Sequence, residues 1–209
     1  MSSTPAVAAF RLLHDAGCFV LPNPWNRGSA QLLASLGFPA LATTSAGLAF
    51  DKGRPDTPTA LSRDEVLSNI REIVAATDLP VNADFQAGYG DSPDDVYESV
   101  ALCVATGVAG LSIEDASGVD ALYPLDVAVA RLQAARHAIA DSGVPVVLTG
   151  RAECFLVGDD DPMVESITRL NAYAEAGADC LYAPGLATLG EVATLMASIP
   201  ELPVNVIAR

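Results

Sequence analysis

The chain has 209 residues, of which 51% are hydrophobic and 18% charged, and it carries a formal charge of −15 at pH 7. That length supports one domain with a substantial core, and so acidic a balance argues against nucleic acid or an anionic membrane surface as partner. No apolar run approaches the ~20 residues of a membrane span. Met1 to Ala9 lack the basic start and apolar stretch of a signal peptide. Cys18, Cys103, Cys154 and Cys180 are scattered, form no CxxC pair, and read as the reduced thiols of a cytoplasmic protein.

In chain order, strand-like apolar runs fall at roughly 18–21, 40–45, 79–84, 110–115, 144–150, 180–184 and 203–208. Helix-like segments separate them. Ser62-Arg63-Asp64-Glu65 reads as a capping box, followed by Val66, Ile70, Ile73 and Val74 on one face. Ser92-Pro93 places a cap before a first-turn proline, ahead of Val96, Val100 and Val104. Asp161-Pro162 does the same before Met163, Ile167, Leu170 and Ala174.

Gly37, Gly107 and Gly177 stand 70 residues apart, each like a helix C-cap leading into a strand. Between them Pro80, Pro145 and Pro203 stand at strand entries, where proline forfeits no ladder bond. The alternation implies two βα units per repeat, the period of a (β/α)8-type TIM barrel. About seven strands of such a barrel are present, in a single domain spanning residues 1–209. The expectation is that a C-terminal strand and helices are missing, or that another chain covers the open edge. A doubly wound open sheet is the alternative, weakened by the lack of a Gly-rich phosphate fingerprint after the first strand.

Charged residues end several of the strand-like runs: Asp84, then Glu114-Asp115, then Arg151 and Glu153. In a parallel barrel these ends open onto one mouth, so carboxylates and an arginine converging there suggest a divalent cation and an anionic substrate. Each acid could singly be a helix cap or loop residue. His14 and His137 both fall in helical segments away from the mouth, which disfavours a histidine base.

The motifs carry a family resemblance. Asn23-Pro24-Trp25-Asn26 with Gly28-Ser29-Ala30, and Thr43-Thr44-Ser45-Ala46-Gly47 running to Gly53-Arg54-Pro55-Asp56, are two of them. Ala83-Asp84-Phe85-Gln86-Ala87-Gly88-Tyr89-Gly90, Ile113-Glu114-Asp115, Arg151-Ala152-Glu153 and Ala172-Tyr173-Ala174-Glu175-Ala176-Gly177-Ala178-Asp179 complete the set. Together, from about residue 10 to 209, they resemble the isocitrate lyase/phosphoenolpyruvate mutase superfamily, in a short phosphoenolpyruvate phosphomutase-like form. The resemblance implies a modified barrel, a homo-oligomer (dimer or tetramer), and Mg²⁺-dependent chemistry on 2-oxo or enolpyruvyl carboxylates, with Mn²⁺ as a substitute metal. It implies Asp84 as direct metal ligand, with Asp56 and Glu114 holding metal-bound waters. Thr44, Ser45 and Ala46 would grip the substrate carboxylate, and Arg151 would bind a carboxylate or neutralise an oxyanion. Arg151 could equally be an ion-pair partner of Glu153 or Glu114. Tyr89 would line or gate the site, or pack over the barrel rim.

Two departures from the family pattern matter. Gln86 stands where the family has a second acid, so one negative charge is lost and the metal should bind more weakly. Residues 116–124, Ala-Ser-Gly-Val-Asp-Ala-Leu-Tyr-Pro, contain no cysteine, lysine or histidine, so the general acid of isocitrate-type cleavage is absent. Cys154 is a weak substitute, while Cys18 and Cys180 are expected to be packed in strands. The reading is a Mg²⁺-dependent carbon–carbon lyase acting on a small 2-oxo carboxylate, with oxaloacetate-type decarboxylation foremost. The alternatives are a phosphonopyruvate-type mutase or hydrolase, and a catalytically impaired barrel that binds a carboxylate.

Overall fold

The computed structural model describes residues 4–207. In chain order the elements are α1 (Pro5–Asp15), α2 (Arg27–Ser35), β1 (Leu41–Ala42), α3 (Ser45–Asp51), α4 (Arg63–Val74), β2 (Val81–Asp84), α5 (Pro93–Val104) and β3 (Gly110–Glu114). They continue with α6 (Leu125–Ser142), β4 (Val147–Arg151), α7 (Cys154–Val157), α8 (Pro162–Glu175), β5 (Cys180–Tyr182), α9 (Leu189–Met196) and β6 (Val204–Asn205). Among the described residues the six strands form one parallel sheet in sequential order, the curled part-barrel of a TIM-type fold.

The local signals behave as the sequence implied. Ser62 and Glu65 cap each other across the start of α4, and Ser92 and Asp95 do so for α5. Gly37, Gly107 and Gly177 take φ values of 84°, 91° and 100°, the left-handed region that closes a helix and turns the chain into the next strand. Pro80 and Pro203 lend their carbonyls to the ladder, accepting from Leu41 and Leu181 at 2.9 Å each.

Six strands replace the seven expected. The run at 18–21 packs Phe19 and Leu21 inward and turns Val20 outward, yet among the described residues its backbone tie to β1 is the Ala42 N–H donating to the Pro22 carbonyl at 3.0 Å. With so few backbone bonds to β1 it is an edge segment rather than a strand. Cys18 in it is exposed, not packed as expected. The run at 40–45 is shorter than expected because Thr44 caps α3 and Ser45 begins that helix. The run at 203–208 pairs only at Val204 and Asn205, and its residue 208 lies outside the described residues.

The main core lies between the sheet and its helices, with Ile70, Val100, Leu111, Leu132, Leu148 and Leu170 among its members. A second cluster closes the N-terminal ends of the strands, where Val7 and Phe10 of α1 meet Ala40, Ala109, Val147 and Cys180. Phe10 fits against Gly110 so closely that a Cβ there would stand 2.5 Å from its ring and 2.4 Å from the Asn82 Oδ1. With α1 plugging the base, only the C-terminal strand ends are left to open on a site.

Beneath that end lies a buried polar knot. Asp115, 2% exposed, accepts from the Glu153 N–H (2.8 Å), Arg169 Nη1 (3.1 Å) and the Tyr173 hydroxyl (2.5 Å). Arg169 also donates to the Tyr123 carbonyl at 3.0 Å and pairs through Nε with Glu165 at 2.7 Å. The knot ties the end of β3, the turn after β4 and α8 to one carboxylate. Asp115→Ala would remove the buried carboxylate of Arg169, leaving it Glu165 and the Tyr123 carbonyl, and would orphan the Glu153 N–H and the Tyr173 hydroxyl. The expected loss of stability is roughly 3–5 kcal/mol, against about 1–2 kcal/mol for Tyr173→Phe, which leaves two donors on the carboxylate. Thermal or urea unfolding of both variants measures the difference.

Candidate active site

The ends of β2, β3 and β4 set the site by register. Asp84 pairs with Ser112 across the ladder, and Glu114 pairs with Arg151, so the two acids and the arginine project from neighbouring strands at the same rim. Arg151 Nη1 lies 3.3 Å from Glu114 and 3.5 Å from Asp84, and Nε contacts the Glu153 carboxylate directly. The Tyr182 ring, one strand further on, lies 5.3 Å from the guanidinium carbon. The two readings of Arg151, ion-pair partner and anion ligand, therefore begin from one geometry: it is already ion-paired at the mouth.

One guanidinium faces three carboxylates, and all four groups are largely removed from water. Burial pushes the Glu114 and Glu153 carboxyls above the usual range, Arg151 pulls them back, and the neighbouring acids add to the rise. Arg151 is held firmly protonated by the same acids despite its burial. Asp56 sits exposed on the rim, where partial desolvation and then the charge of Asp84 raise its carboxyl while Arg151 lowers it. Asp84, Glu114 and Arg151 meet at the mouth, with Asp56 close enough to feel the charges of Asp84 and Arg151.

Asp84 is held asymmetrically. Its Oδ2 accepts both the Ser45 N–H (2.8 Å) and the Ser45 hydroxyl (2.7 Å), whereas Oδ1 is buried without a hydrogen-bond partner. Thr44 supplies the cap of α3, accepting from the Gly47 N–H at 3.0 Å, and Gly47 is required because a Cβ there would meet the Thr44 methyl at 2.6 Å. Thus the Thr44-Ser45-Ala46 turn, read as a substrate grip, directly orients the acid of β2.

The turn after β2 brings Gln86 and Tyr89 to the same place. Both adopt left-handed φ, 45° and 57°, a conformation that non-glycine side chains rarely take. The Gln86 Oε1 and the Tyr89 hydroxyl are buried and without hydrogen-bond partners. Tyr89 stacks edge-on against Phe85, and burial together with the charges of Asp84 and Glu114 raises its hydroxyl pKa. A cleft of about 250 Å³ opens beside these groups, lined by Gln86, Tyr89, Glu114, Ser117 and Tyr123 with Pro58 and Thr59 at its mouth.

The donor set suits a hard divalent cation. Asp84 Oδ1 has the Arg151 ion pair at 3.5 Å but no hydrogen bond, Gln86 Oε1 is buried with no hydrogen-bond partner, and the single Arg151 does not balance the surrounding acids. Among the described residues no cluster of three or more acid, histidine or cysteine side chains closes on one point. A complete protein cage is therefore absent, which fits Mg²⁺, an ion that takes one or two carboxylates and keeps its waters, better than a metal that demands one.

Cysteine and histidine contribute nothing at the mouth. Cys154 is fully buried behind Glu153, its thiol pushed up to about 11 mainly by burial, and Cys180 is likewise buried with its thiol raised to about 11. His14 lies on α1 at the opposite end and is bonded to the Phe10 carbonyl at 2.8 Å, while His137 is exposed on α6. Sequence reasoning counted Asp115 among the acids of the mouth, whereas the structure buries it beneath on Arg169 and Tyr173, and it gave no role to Arg169 or Arg131. The available signal was an arginine at a buried position of an otherwise apolar helix face, as with Arg169 beside Leu170 and Tyr173 and Arg131 beside Leu132 and Ala135, which demands a buried acceptor.

Residues 10–209 match the family described as phosphoenolpyruvate phosphomutase, and the chain belongs to that family, within the isocitrate lyase/phosphoenolpyruvate mutase superfamily. It is 31% identical over 173 residues to 2-methylisocitrate lyase of Escherichia coli K12, covering 78% of this chain and 56% of that enzyme. It is 29% identical over 209 residues to oxaloacetate decarboxylase of Paraburkholderia xenovorans LB400, covering 91% and 68%. A crystal structure from Burkholderia cenocepacia J2315, described as a lyase/mutase, superposes with a TM-score of 0.93 at 46% identity, covering 98% of this chain and 73% of that one. A phosphonopyruvate hydrolase solved with oxalate and Mg²⁺ superposes with a TM-score of 0.88 at 25% identity, covering 98% and 72%. The named relatives are thus lyases, decarboxylases and hydrolases of small carboxylates.

The burial pattern makes thiol reactivity a direct check on the site. In the native protein only Cys18 should react rapidly with a thiol reagent such as Ellman's reagent, with Cys103, Cys154 and Cys180 reacting only after denaturation. Rapid native labelling of Cys154, read by peptide mapping, would contradict its placement behind the site.

Proposed function

We propose that the protein is a Mg²⁺-dependent carbon–carbon lyase acting on a small 2-oxo carboxylate, with oxaloacetate-type decarboxylation as its reaction. The observation that carries this is the buried Arg151 ion-paired with Asp84 and Glu114, where Asp84 Oδ1 and Gln86 Oε1 are buried without a hydrogen bond. Asp84 would hold the cation directly, with Asp56, Glu114 and Gln86 holding it through water; Mn²⁺ would substitute. When bound, the cation supplies Lewis-acid polarisation of the substrate's 2-oxo group.

The chain's own groups do the rest. Arg151, held protonated by its acids, presents positive charge where the enolate oxygen develops and can meet a carboxylate with two donors. The Thr44-Ser45-Ala46 turn receives the substrate carboxylate, Ser45 trading a bond to Asp84 for one to the ligand. Tyr89 closes the side of the site. The C3–C4 bond breaks, CO₂ leaves, its electron pair enters the enolate, and a solvent proton on C3 completes pyruvate. No protein acid is needed at the bond-breaking step. The 116–124 loop suits this chemistry: it closes on itself through Ser117 N–H to the Ala121 carbonyl at 2.9 Å and brings no cysteine, lysine or histidine to the mouth.

A phosphonopyruvate-type mutase or hydrolase is the second reading, favoured by the likeness to the Mg²⁺-bound hydrolase structure. The proposal includes a homo-oligomer in the cytoplasm. Leu189 is 89% exposed, with Met196, Val206 and Ile207 also open around the β6 edge, and apolar surface of that kind favours association.

Screening 2-oxo acids and phosphonopyruvate with and without Mg²⁺, following pyruvate, tests the reading. Pyruvate release from oxaloacetate that vanishes in EDTA, and that falls by at least about a hundredfold in Asp84→Ala, is expected. Tight oxalate binding without turnover would instead identify a carboxylate-binding barrel. Isocitrate and methylisocitrate should remain uncleaved, and Cys154→Ala should keep nearly full activity. Robust methylisocitrate cleavage lost in Cys154→Ala would reverse that assignment.

The amide at position 86 provides a separate check. Gln86→Glu restores a carboxylate beside Asp84 and should tighten Mg²⁺ binding by about tenfold in calorimetric titration. Equal or weaker binding would mean that residue 86 does not face the cation.

A further inference from the structure

Arg131 has the unusual surroundings of a buried guanidinium with no carboxylate at ion-pair distance among the described residues. It rises from α6, is 1% exposed, and spends its donors on backbone carbonyls. Nη1 donates to the Gly90 carbonyl at 2.7 Å and to that of Asp91, and Nη2 donates to that of Ala87. Its carbon lies 4.0 Å from the centroid of the Tyr123 ring, and the Tyr123 hydroxyl in turn donates to Asp91 Oδ1 at 2.7 Å. Three of these four partners belong to the loop after β2 and the fourth to the loop after β3. Those two loops are the facing walls of the cleft.

The loop it grips contains the two left-handed non-glycine residues, Gln86 and Tyr89. Such conformations persist only where the surroundings over-determine them. Gly88 and Gly90 add further constraint, since a Cβ on Gly90 would stand 2.2 Å from the Asp95 Cβ. A planar guanidinium can satisfy three carbonyls and stack on an aromatic face at once. An ammonium on a flexible stem offers no fork and no stacking plane.

We propose that Arg131 is the positioning residue of the cleft: by clamping the carbonyls of 87–91 and stacking on Tyr123, it fixes the spacing of the two walls and aims Gln86 and Tyr89 at the acids. It touches no reacting atom. The link to cation binding rests on the function proposed above, whereas the clamp itself does not.

The test uses the full chain as wild type, Arg131→Met and Arg131→Lys. Amide hydrogen exchange is measured without metal, and Mg²⁺ alone is titrated by calorimetry. Expected is exchange faster by about tenfold or more, confined to 86–91 and 116–123, with the amides of β3 and β4 as protected as before. Mg²⁺ affinity should fall by about tenfold in both variants, and Arg131→Lys, with its longer stem but no fork, should not restore it. Unchanged exchange in both loops of a folded variant would overturn the proposal. So would a rise spread evenly over the barrel, which marks a general loss of stability, or full restoration by lysine. Absence of Mg²⁺ binding by the wild type would instead refute the function proposed above, leaving the exchange data to decide the role of Arg131.

Discussion

The mouth of this barrel depends on a single buried cation. At 3.3 Å and an effective dielectric of ~20, one Arg151–carboxylate pair is worth on the order of 5 kcal/mol. Desolvating each ion costs several kcal/mol, so no single pair explains the cluster. It holds together because one guanidinium serves Asp84, Glu114 and Glu153 together, and because backbone and hydroxyl donors take up part of the remaining acceptor capacity. Even so the count leaves excess negative charge, and the Asp84 Oδ1 has the Arg151 ion pair at 3.5 Å but no hydrogen bond. A site so constructed is poised for another positive group.

Below and beside this cluster, two further arginines play a different part. Arg169 anchors Asp115, and Asp115 accepts the Glu153 N–H, so the turn carrying Glu153 is fixed from beneath. Arg131 holds the wall that carries Gln86 and Tyr89. Three guanidiniums thus act at three depths: one at the mouth among acids, one in the core on a carboxylate, one behind the loop on carbonyls.

In barrels of this kind chemistry varies mainly through the loops at the strand ends. The strand ends supply acids and arginine, while the loops after β2 and β3 decide what else reaches the substrate. Here the second of these is short, self-bonded and free of cysteine, lysine and histidine. That loop brings the hydroxyls of Ser117 and Tyr123 to the cleft, and no thiol, ammonium or imidazole.

Much was legible in the sequence. Apolar runs, helical periodicity, capping signals at Ser62 and Ser92, and glycines 70 residues apart are local signals, and they implied the parallel α/β order and the strand ends that carry Asp84, Glu114 and Arg151. What the sequence could not decide were matters of partnership. The segment at 18–21 is an apolar run like those of the strands, but whether it pairs depends on where β1 presents its backbone. Ser45 reads equally as a ligand donor or an acid's support, and only the 39-residue approach to Asp84 assigns its two bonds. Arg131 is one more charged residue in a helix until the fold brings the carbonyls of Ala87, Gly90 and Asp91 around it. Hydrogen bonds and ion pairs between distant segments depend on three-dimensional distance, which residue spacing along the chain does not encode.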